Sequence, residues 1–151
     1  MDDYKIRAFR ISDKPTLLNI VKLNTPKYFT TSQYDDFKLY LKNSVEKYFV
    51  IESPDGIIGA GGINFNDYNK EGRISWDFIH PEHHGKGIGQ KLLNYRISLL
   101  NSMEDIEKIT VRTSKSAYMF YEKNGFQLQN IVMDYWAKGL DLYRMKYEGD
   151  L

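Results

Sequence analysis

A glycine-rich segment near the middle of the chain has the composition of a phosphate-binding loop. Glycines alternate in the run Gly85-Lys86-Gly87-Ile88-Gly89, which lies between a β-rich stretch and a helical one. Glycine has no Cβ atom, so its backbone can approach an anion closely, and the first turn of the following helix adds unpaired N–H groups and the positive end of the helix dipole. Between Glu82 and Glu104 there is no carboxylate, whereas Lys86, Lys91 and Arg96 are present. Backbone and charge therefore both predict a site for phosphate.

Two common nucleotide-binding loops do not fit this spacing. The P-loop has Lys and then Ser or Thr directly after its second glycine, but Gly87 is followed by Ile88. The dinucleotide-binding fingerprint has a third glycine where this chain has Leu92, and it needs an acidic residue after the next strand, which the run 108–111 does not offer. Nucleotide-dependent hydride transfer is therefore not expected.

Two segments resemble the motifs of one enzyme family. Residues 84–89 resemble the acyl-CoA pyrophosphate motif of the GNAT superfamily of N-acetyltransferases, in which Arg or Gln precedes two residues, Gly, one residue, and Gly or Ala; here His84 takes the first position. Residues 114–126 resemble the second family motif, with Ala117 and the run Tyr121-Glu122-Lys123-Asn124-Gly125-Phe126 in place, and with Ser114 where Asn is usual. The resemblance implies an acyltransferase that uses acetyl-CoA and releases CoA.

The resemblance also implies which residues bind the cofactor. The strand before the loop would offer backbone groups of Phe78 and Ile79 to the pantetheine arm. The loop amides would hold the pyrophosphate, and Lys86 and Lys91 would add only outer electrostatics. A Cβ atom at Gly87 or Gly89 is expected to clash with the ligand or the backbone. The other cofactor-binding residues implied are His84 as the anion-facing donor, Gly85, Lys86, Ile88, Gln90, Ser114 and Tyr121.

Acetyl transfer to an amine needs a neutral nucleophile, a polarised thioester carbonyl and a proton for the departing thiolate. Tyr121 occupies the family's general-acid position, and a phenol stays protonated near neutral pH. The carboxylate often found early on the preceding strand would fall near Arg73, which cannot act as a base. Asp77 is the predicted substitute, because it shares strand parity with Ser75 and Ile79 and could face the cleft. A structural role for Asp77 is equally open, as is loss of the amine proton through water.

A metal site is not expected, although all three histidines lie close together. His80, His83 and His84 fall within five residues beside Glu82. Adjacent histidines cannot easily converge on one ion, and Pro81 stiffens the segment.

The elements around these residues follow from periodicity. Strands are predicted at 4–11, at 73–79, at 106–111 and, at the C-terminal end, at 126–136 and 140–147. A hairpin is predicted at 48–60, and Gly61 and Gly62, which follow it, indicate a bulge or a close backbone approach. Two helices, capped by Ser12 or Asp13 and by Thr31 or Ser32, follow the first strand. The apolar face of the first consists of Leu17, Leu18, Val21 and Leu23, and that of the second of Tyr34, Phe37, Leu41 and Val45. A long helix carries the stripe Ile88, Leu92, Tyr95, Leu99 and Met103, flanked by Leu93, Ile97 and Leu100, and a short helix spans 114–123. The order β-α-α-β-β-β-α-β-α-β-β predicts one α/β (α+β) domain over residues 1–151, with a mixed central sheet, which matches the GNAT fold.

Composition narrows the remaining possibilities. With 151 residues, 42% of them hydrophobic, the chain can bury a full core, and with no cysteine it can form neither disulfides nor thiolate metal sites. The net charge of +1 and the lack of a long apolar run predict a soluble, cytoplasmic protein that binds neither nucleic acid nor membrane.

The predicted function is transfer of an acetyl group from acetyl-CoA to a primary amine of a small molecule or peptide, by direct attack in a ternary complex. In the family the acceptor meets the helical pair and the last loop, here 26–30 and 135–139, which are aromatic and lack acids. The alternative is a non-catalytic acyl-CoA-binding module. The long aromatic C-terminal strands could also pair across a homodimer.

Overall fold

The computed structural model describes residues 3–149, and within that range it has seven strands and four α-helices. The strands are β1 (Lys5–Ala8), β2 (Lys47–Ser53), β3 (Gly56–Asn66), β4 (Glu71–Ile79), β5 (Lys108–Thr113), β6 (Phe126–Ala137) and β7 (Leu140–Tyr147). The helices are α1 (Lys14–Leu23), α2 (Thr31–Asn43), α3 (Ile88–Asn101) and α4 (Lys115–Lys123). This is the predicted order of elements, and the mixed α/β class is confirmed.

Hydrogen bonds order the strands as β1-β2-β3-β4-β5-β7-β6. β2 pairs antiparallel with β1 and β3, β4 and β5 pair parallel, and β7 pairs antiparallel with β5 and β6. The parallel pair is joined by α3, because parallel strands need a crossover connection. The prediction of a mixed sheet is therefore confirmed.

The residues fall into two compact units. The first comprises the chain up to Asn64 together with Trp76–Arg96, and the second comprises Phe65–Ser75 together with the chain from Ile97 onward. β4 and α3 each contribute residues to both units.

A cluster of aromatic side chains lies in the core of the first unit. The Phe37 ring is completely buried, and its centroid lies 5.2 Å from that of Trp76 and 5.3 Å from that of Phe78. Tyr40 and Tyr48 pack against the same ring at 6.2 and 6.1 Å. Much of the high aromatic content thus stabilises the packing beneath β4.

The two N-terminal helices bury the faces that their spacing predicts, but their ends differ in detail. Leu17 and Val21 of α1 are fully buried, whereas Leu23 is exposed. α2 is capped by Thr30, one residue before the predicted caps, because its hydroxyl accepts from Gln33 N at 3.0 Å and the Gln33 side chain accepts from Thr30 N at 2.9 Å. This reciprocal capping box is stronger than a cap by either neighbour.

The predicted close backbone approach at Gly61 and Gly62 is confirmed. A Cβ atom at Gly61 would lie 2.7 Å from Arg96 Nη1 and 2.8 Å from Asp77 Oδ1. The irregularity in the β2–β3 ladder lies elsewhere, between Ile51 and Glu52.

The apolar stripe of α3 is buried over most of its predicted members. Leu92, Ile97 and Leu100 are buried, but Tyr95 is 41% exposed and the neighbouring Arg96 is fully buried. Tyr95 instead packs its ring edge-on against Phe49, at 5.2 Å. No helix within residues 3–149 is both long enough and apolar enough to cross a bilayer.

The second unit packs α4 against β6 and β7. Its core includes Ile109, Phe126, Leu142 and Met145, all of which are buried. β6 is the last strand in the hydrogen-bonding order and is exposed along most of its length.

Candidate functional site

The glycine loop of the first unit connects the end of β4 to the start of α3. After β4, residues Pro81–His83 form a 3-10 turn, and Gly85 and Gly87 both adopt φ of 76°, a left-handed conformation that favours glycine. The first helical hydrogen bond of α3 runs from Lys91 N to Gly87 O, at 3.1 Å. The amides of Ile88 and Gly89 therefore precede the helical ladder, and an N–H group in that position can donate to an anion.

Within the protein, Gly85 and Gly87 are required by their backbone conformation and not by close neighbours. At Gly85 and at Gly87 an added Cβ atom would meet no heavy atom within 4 Å. The expected clash with the backbone at Gly87 is therefore wrong, because the surrounding space is open. A side chain there would instead be strained by the positive φ.

His84 turns its ring back toward the strand. Its Nε2 lies 2.8 Å from the carbonyl oxygen of Ile79, and its ring packs edge-on against Tyr28 with centroids 5.2 Å apart. Because a carbonyl oxygen only accepts, Nε2 must carry the proton, which leaves Nδ1 as an acceptor in the neutral ring. His84 can thus donate to an anion through Nδ1 only when it is protonated.

The carbonyl oxygen of Ile79 is held from two sides. Besides His84, it accepts from Asn24 Nδ2 at 3.1 Å, and Asn24 is itself buried between α1 and the end of β4. Both lone pairs of this oxygen are therefore occupied, so a pantetheine amide could bond to it only by displacing a donor. Phe78, the other predicted strand residue, is buried in the aromatic core.

The other two histidines shape the turn. His80 Nδ1 accepts from Glu82 N at 3.1 Å, and the rings of His80 and His83 lie 5.8 Å apart. Within residues 3–149, no group of three or more His, Cys, Asp or Glu side chains is arranged to hold a metal ion.

Asp77 forms an ion pair with a buried arginine. Its two carboxylate oxygens lie 2.5 and 2.6 Å from Nη1 and Nη2 of Arg96. The Arg96 side chain has no exposed surface, and it also donates from Nη1 to Gly62 O at 3.0 Å and from Nε to Leu92 O at 3.2 Å. Sequence analysis assigned Arg96 to the charge around the loop and did not foresee this contact.

Beside Asp77 the strand is kinked. Trp76 has φ of 51°, which is rare for an aromatic residue, and its carbonyl oxygen accepts from Tyr48 Oη at 2.8 Å. Burial raises the pKa of Tyr48 well above its usual range. The hydroxyl therefore remains a donor at neutral pH.

The second unit contains the other predicted residues on and before α4. Tyr121 lies on the buried face of this helix, and its ring packs edge-on against Phe126 with centroids 5.6 Å apart. Ser114 is the residue at the helix N-cap, and its hydroxyl lies 2.9 Å from that of Ser116.

Glu71, at the start of β4, is a buried carboxylate that sequence analysis passed over. Burial opposes its ionisation, but hydrogen bonds from Thr110 and Asn69 and the charge of Arg73 outweigh that effect and hold its pKa below the usual value. Glu71 is therefore an ionised anchor in the second unit, and its oxygens already accept from Thr110 and Asn69.

Comparison with known proteins identifies a family. The family model described as acetyltransferase (GNAT) domain matches residues 44–128, more than half of the chain. A comparison with curated protein sequences found no match.

Solved structures share the fold at low sequence identity. Spermidine N-acetyltransferase from Vibrio cholerae, in complex with CoA and spermine, has a TM-score of 0.74 and 22% identity over 95% of this chain and 94% of its own. A GNAT-family acetyltransferase from Desulfovibrio desulfuricans has a TM-score of 0.81 and 16% identity, over 96% of this chain and 98% of its own. Ard1 from Thermoplasma volcanium has a TM-score of 0.74 and 19% identity, over 95% of both chains.

Proposed function

This chain belongs to the GNAT family of acetyl-CoA-dependent N-acetyltransferases, and from that premise we propose how its residues carry out the reaction. The acceptor is a primary amine of a small molecule or peptide, which attacks the acetyl thioester directly while both substrates are bound. The whole chain acts as one N-acetyltransferase domain. The observation that carries the assignment is the loop at Gly85 and Gly87, whose left-handed conformation leads directly into the N-terminus of α3.

The loop binds the pyrophosphate of acetyl-CoA. Backbone N–H groups from Gly85 to Gln90 donate to the phosphate oxygens, and the dipole of α3 favours the negative charge. His84 adds a donor through Nδ1 when protonated, because its Nε2 is already bonded to Ile79 O. Phe78 and Ile79 flank the pantetheine arm, and Ser114 contributes from the second motif.

Tyr121 supplies the proton for the leaving group. The amine nitrogen forms a bond to the thioester carbon, the C–S bond breaks, and the thiolate of CoA takes the phenolic proton of Tyr121. The nitrogen loses its extra proton, and the tyrosinate recovers one from solvent. A phenol, with an ordinary pKa of about 10, and a thiol, with about 8.5, have roughly similar basicity, so the proton can pass from Tyr121 to the thiolate.

The removal of the amine proton is best assigned to water. Asp77 remains a predicted base, but each of its oxygens already accepts a hydrogen bond from Arg96 in a forked pair. An amine that sheds its proton through solvent needs no side-chain base.

The acceptor carries little positive charge. The structural neighbour from Vibrio cholerae acts on spermidine, but residues 26–30 and 135–139 of this chain contain no carboxylate that would attract a polycation. A monoamine or a peptide amine is therefore the better candidate.

Two further features belong to the proposal. β6 is the last strand in the hydrogen-bonding order and exposes the apolar side chains of Leu128, Ile131 and Met133, so a second copy of the chain can pair with it. Light scattering would then give twice the chain mass of 17.8 kDa.

The cytoplasm is the proposed compartment, because acetyl-CoA is multiply charged and cannot cross a bilayer unaided.

The test is release of CoA thiol from acetyl-CoA in the presence of amines, among them spermidine, a monoamine and a short peptide. The chain has no cysteine, so a thiol reagent detects only CoA. Tyr121→Phe is expected to lower kcat by about 100-fold, since general acid catalysis contributes roughly 10² to 10⁴. Tyr118→Phe, on the same helix with its hydroxyl bonded to Glu122, removes the same group and should retain full activity.

Three outcomes of this assay would contradict parts of the proposal. Binding of acetyl-CoA without turnover on any amine would identify a non-catalytic binding module. Equal losses in Tyr121→Phe and Tyr118→Phe would remove the general-acid role. No binding of acetyl-CoA would overturn the assignment of the loop.

A further inference from the structure

Building on the proposed acetyl transfer, we infer that Arg96 is a positioning residue: its ion pair with Asp77 fixes the end of β4 relative to the glycine loop. Neither residue needs to touch a reacting atom for this role. Arg96 lies on α3, the helix that starts at the loop, and Asp77 lies on β4, the strand that ends before it. The pair therefore joins the two elements on either side of the loop.

Arg96 is connected to three elements by directional bonds. It donates to its own helix at Leu92 O, to β3 at Gly62 O and to β4 at both oxygens of Asp77. A planar guanidinium fixes orientation as well as distance when it bonds a carboxylate in this forked manner. Lysine has the charge but cannot form the fork.

The surrounding backbone is built to accommodate the pair. Gly61 lies so close that a Cβ atom would be 2.8 Å from Arg96 Cζ and from Asp77 Oδ1. The adjacent Trp76 holds φ of 51°, with its carbonyl oxygen bonded to Tyr48. A strained residue persists only where its surroundings hold it in place. Tyr48 holds Trp76 through its carbonyl oxygen, and Arg96 holds the next residue, Asp77, through its carboxylate.

A small change at the Arg96–Asp77 pair would displace the loop end of α3 by a larger distance. Arg96 is eight residues after Ile88, about 12 Å along the helix axis at 1.5 Å per residue. A tilt of about 5° around Arg96 would therefore shift the first turn of α3 by about 1 Å. A displacement of that size can lower a rate about 100-fold, because reacting groups must be aligned closely.

Stability alone does not account for a buried charge pair. Replacing such a pair by apolar side chains of similar volume is often neutral or stabilising. The double variant Asp77→Leu with Arg96→Met should therefore keep the melting temperature while losing the alignment. Arg96→Lys keeps the charge and loses only the fork.

The experiment compares wild type, Arg96→Lys and the double variant in three measurements. We expect kcat to fall by about 30- to 100-fold in both variants, while the dissociation constant for CoA, set by the loop amides, changes less than about threefold. Hydrogen–deuterium exchange of a peptide covering residues 76–84 should rise at least about tenfold, since the restraint on β4 is lost. The matched control is Arg7→Lys, which removes another fork, that of Arg7 with Asp13 at 2.8 and 2.9 Å. It should change neither kcat nor exchange in this peptide.

Specific results would overturn the inference. Unchanged exchange at 76–84 in Arg96→Lys would show that the pair restrains nothing, even if no amine substrate is found and the proposed function has failed. Wild-type kcat in the double variant would reduce the pair to a structural role. A full rate in Arg96→Lys, together with an inactive Asp77→Asn that loses the acidic limb of the pH profile, would make Asp77 the general base.

Discussion

Replacing Gly87 by alanine tests the loop against a glycine of the same conformation elsewhere. Gly87 has φ of 76°, and Gly139, in the turn between β6 and β7, has φ of 80°. An added Cβ atom meets no heavy atom within 4 Å at either position. The two substitutions therefore carry the same intrinsic cost, and only one of them alters the phosphate site.

The magnitudes follow from backbone strain and hydrogen bonding. A left-handed alanine costs about 1–2 kcal/mol, and the lower entropy of the unfolded chain offsets about 0.4–1 kcal/mol of that. Each variant should thus lose roughly 1 kcal/mol of folding free energy, or about 2–4 °C in melting temperature. In Gly87→Ala the strain at φ of 76° also falls on the amides proposed to hold the phosphate, and loss of one hydrogen bond to a charged group costs about 1.5–3 kcal/mol. Affinity for CoA should fall by roughly 10- to 150-fold.

The assay is calorimetric titration with CoA in the absence of any acceptor, together with thermal unfolding of each variant. Gly139→Ala should bind CoA as the wild type does. Wild-type affinity in Gly87→Ala would show that the loop amides do not hold the ligand. Equal weakening in both variants would trace the effect to stability and would equally refute the phosphate site.

Two further predictions concern single side chains. His84→Phe keeps an aromatic ring against Tyr28 and removes both ring nitrogens, so affinity for CoA should fall by roughly tenfold if His84 donates to the phosphate, and unchanged affinity would exclude that role. The hydrogen bond from Arg7 lowers the pKa of Asp13, so the stability that Asp13 provides is present at neutral pH and is lost as pH falls below about 4 through that lowered pKa. The melting temperatures of wild type and Asp13→Asn should therefore converge in acid, and a gap that stays constant down to pH 2 would contradict this.

The fold was predictable because local signals and tertiary contacts agree. The turn Pro54-Asp55-Gly56 and the junction at Lys138-Gly139 both separate β-rich runs, and both became hairpins. Periodicity likewise found Leu17, Val21 and Phe37 in the core. The cap of α2 was missed by one residue, since Thr30, Thr31 and Ser32 are chemically similar and only the reciprocal bond with Gln33 distinguishes them.

The site could be predicted from the sequence only where a residue type indicates a backbone conformation. Glycine is favoured at positive φ, and both Gly85 and Gly87 have positive φ. The residue type of Asn24 does not indicate its role. Its side-chain amide donates to Ile79 O, 55 residues away, and this contact depends on how α1 packs against β4. The sequence therefore could not show that Ile79 O accepts a second hydrogen bond besides that of His84.

Arg96 shows how an apolar stripe can conceal a charge. Leu92, Arg96 and Leu100 follow at intervals of four on one helix face, and all three are buried. The spacing could have suggested burial of Arg96, but its charge favoured an assignment to the loop. An apolar side chain at position 96 would fill the same volume but would not fix the orientation of α3 relative to β4, because the hydrophobic effect is not directional. The forked ion pair with Asp77 does fix direction. Arg96 lies about 12 Å from the loop, at a helical rise of about 1.5 Å per residue. Its burial is therefore best explained by the alignment of α3 with β4 that the ion pair imposes.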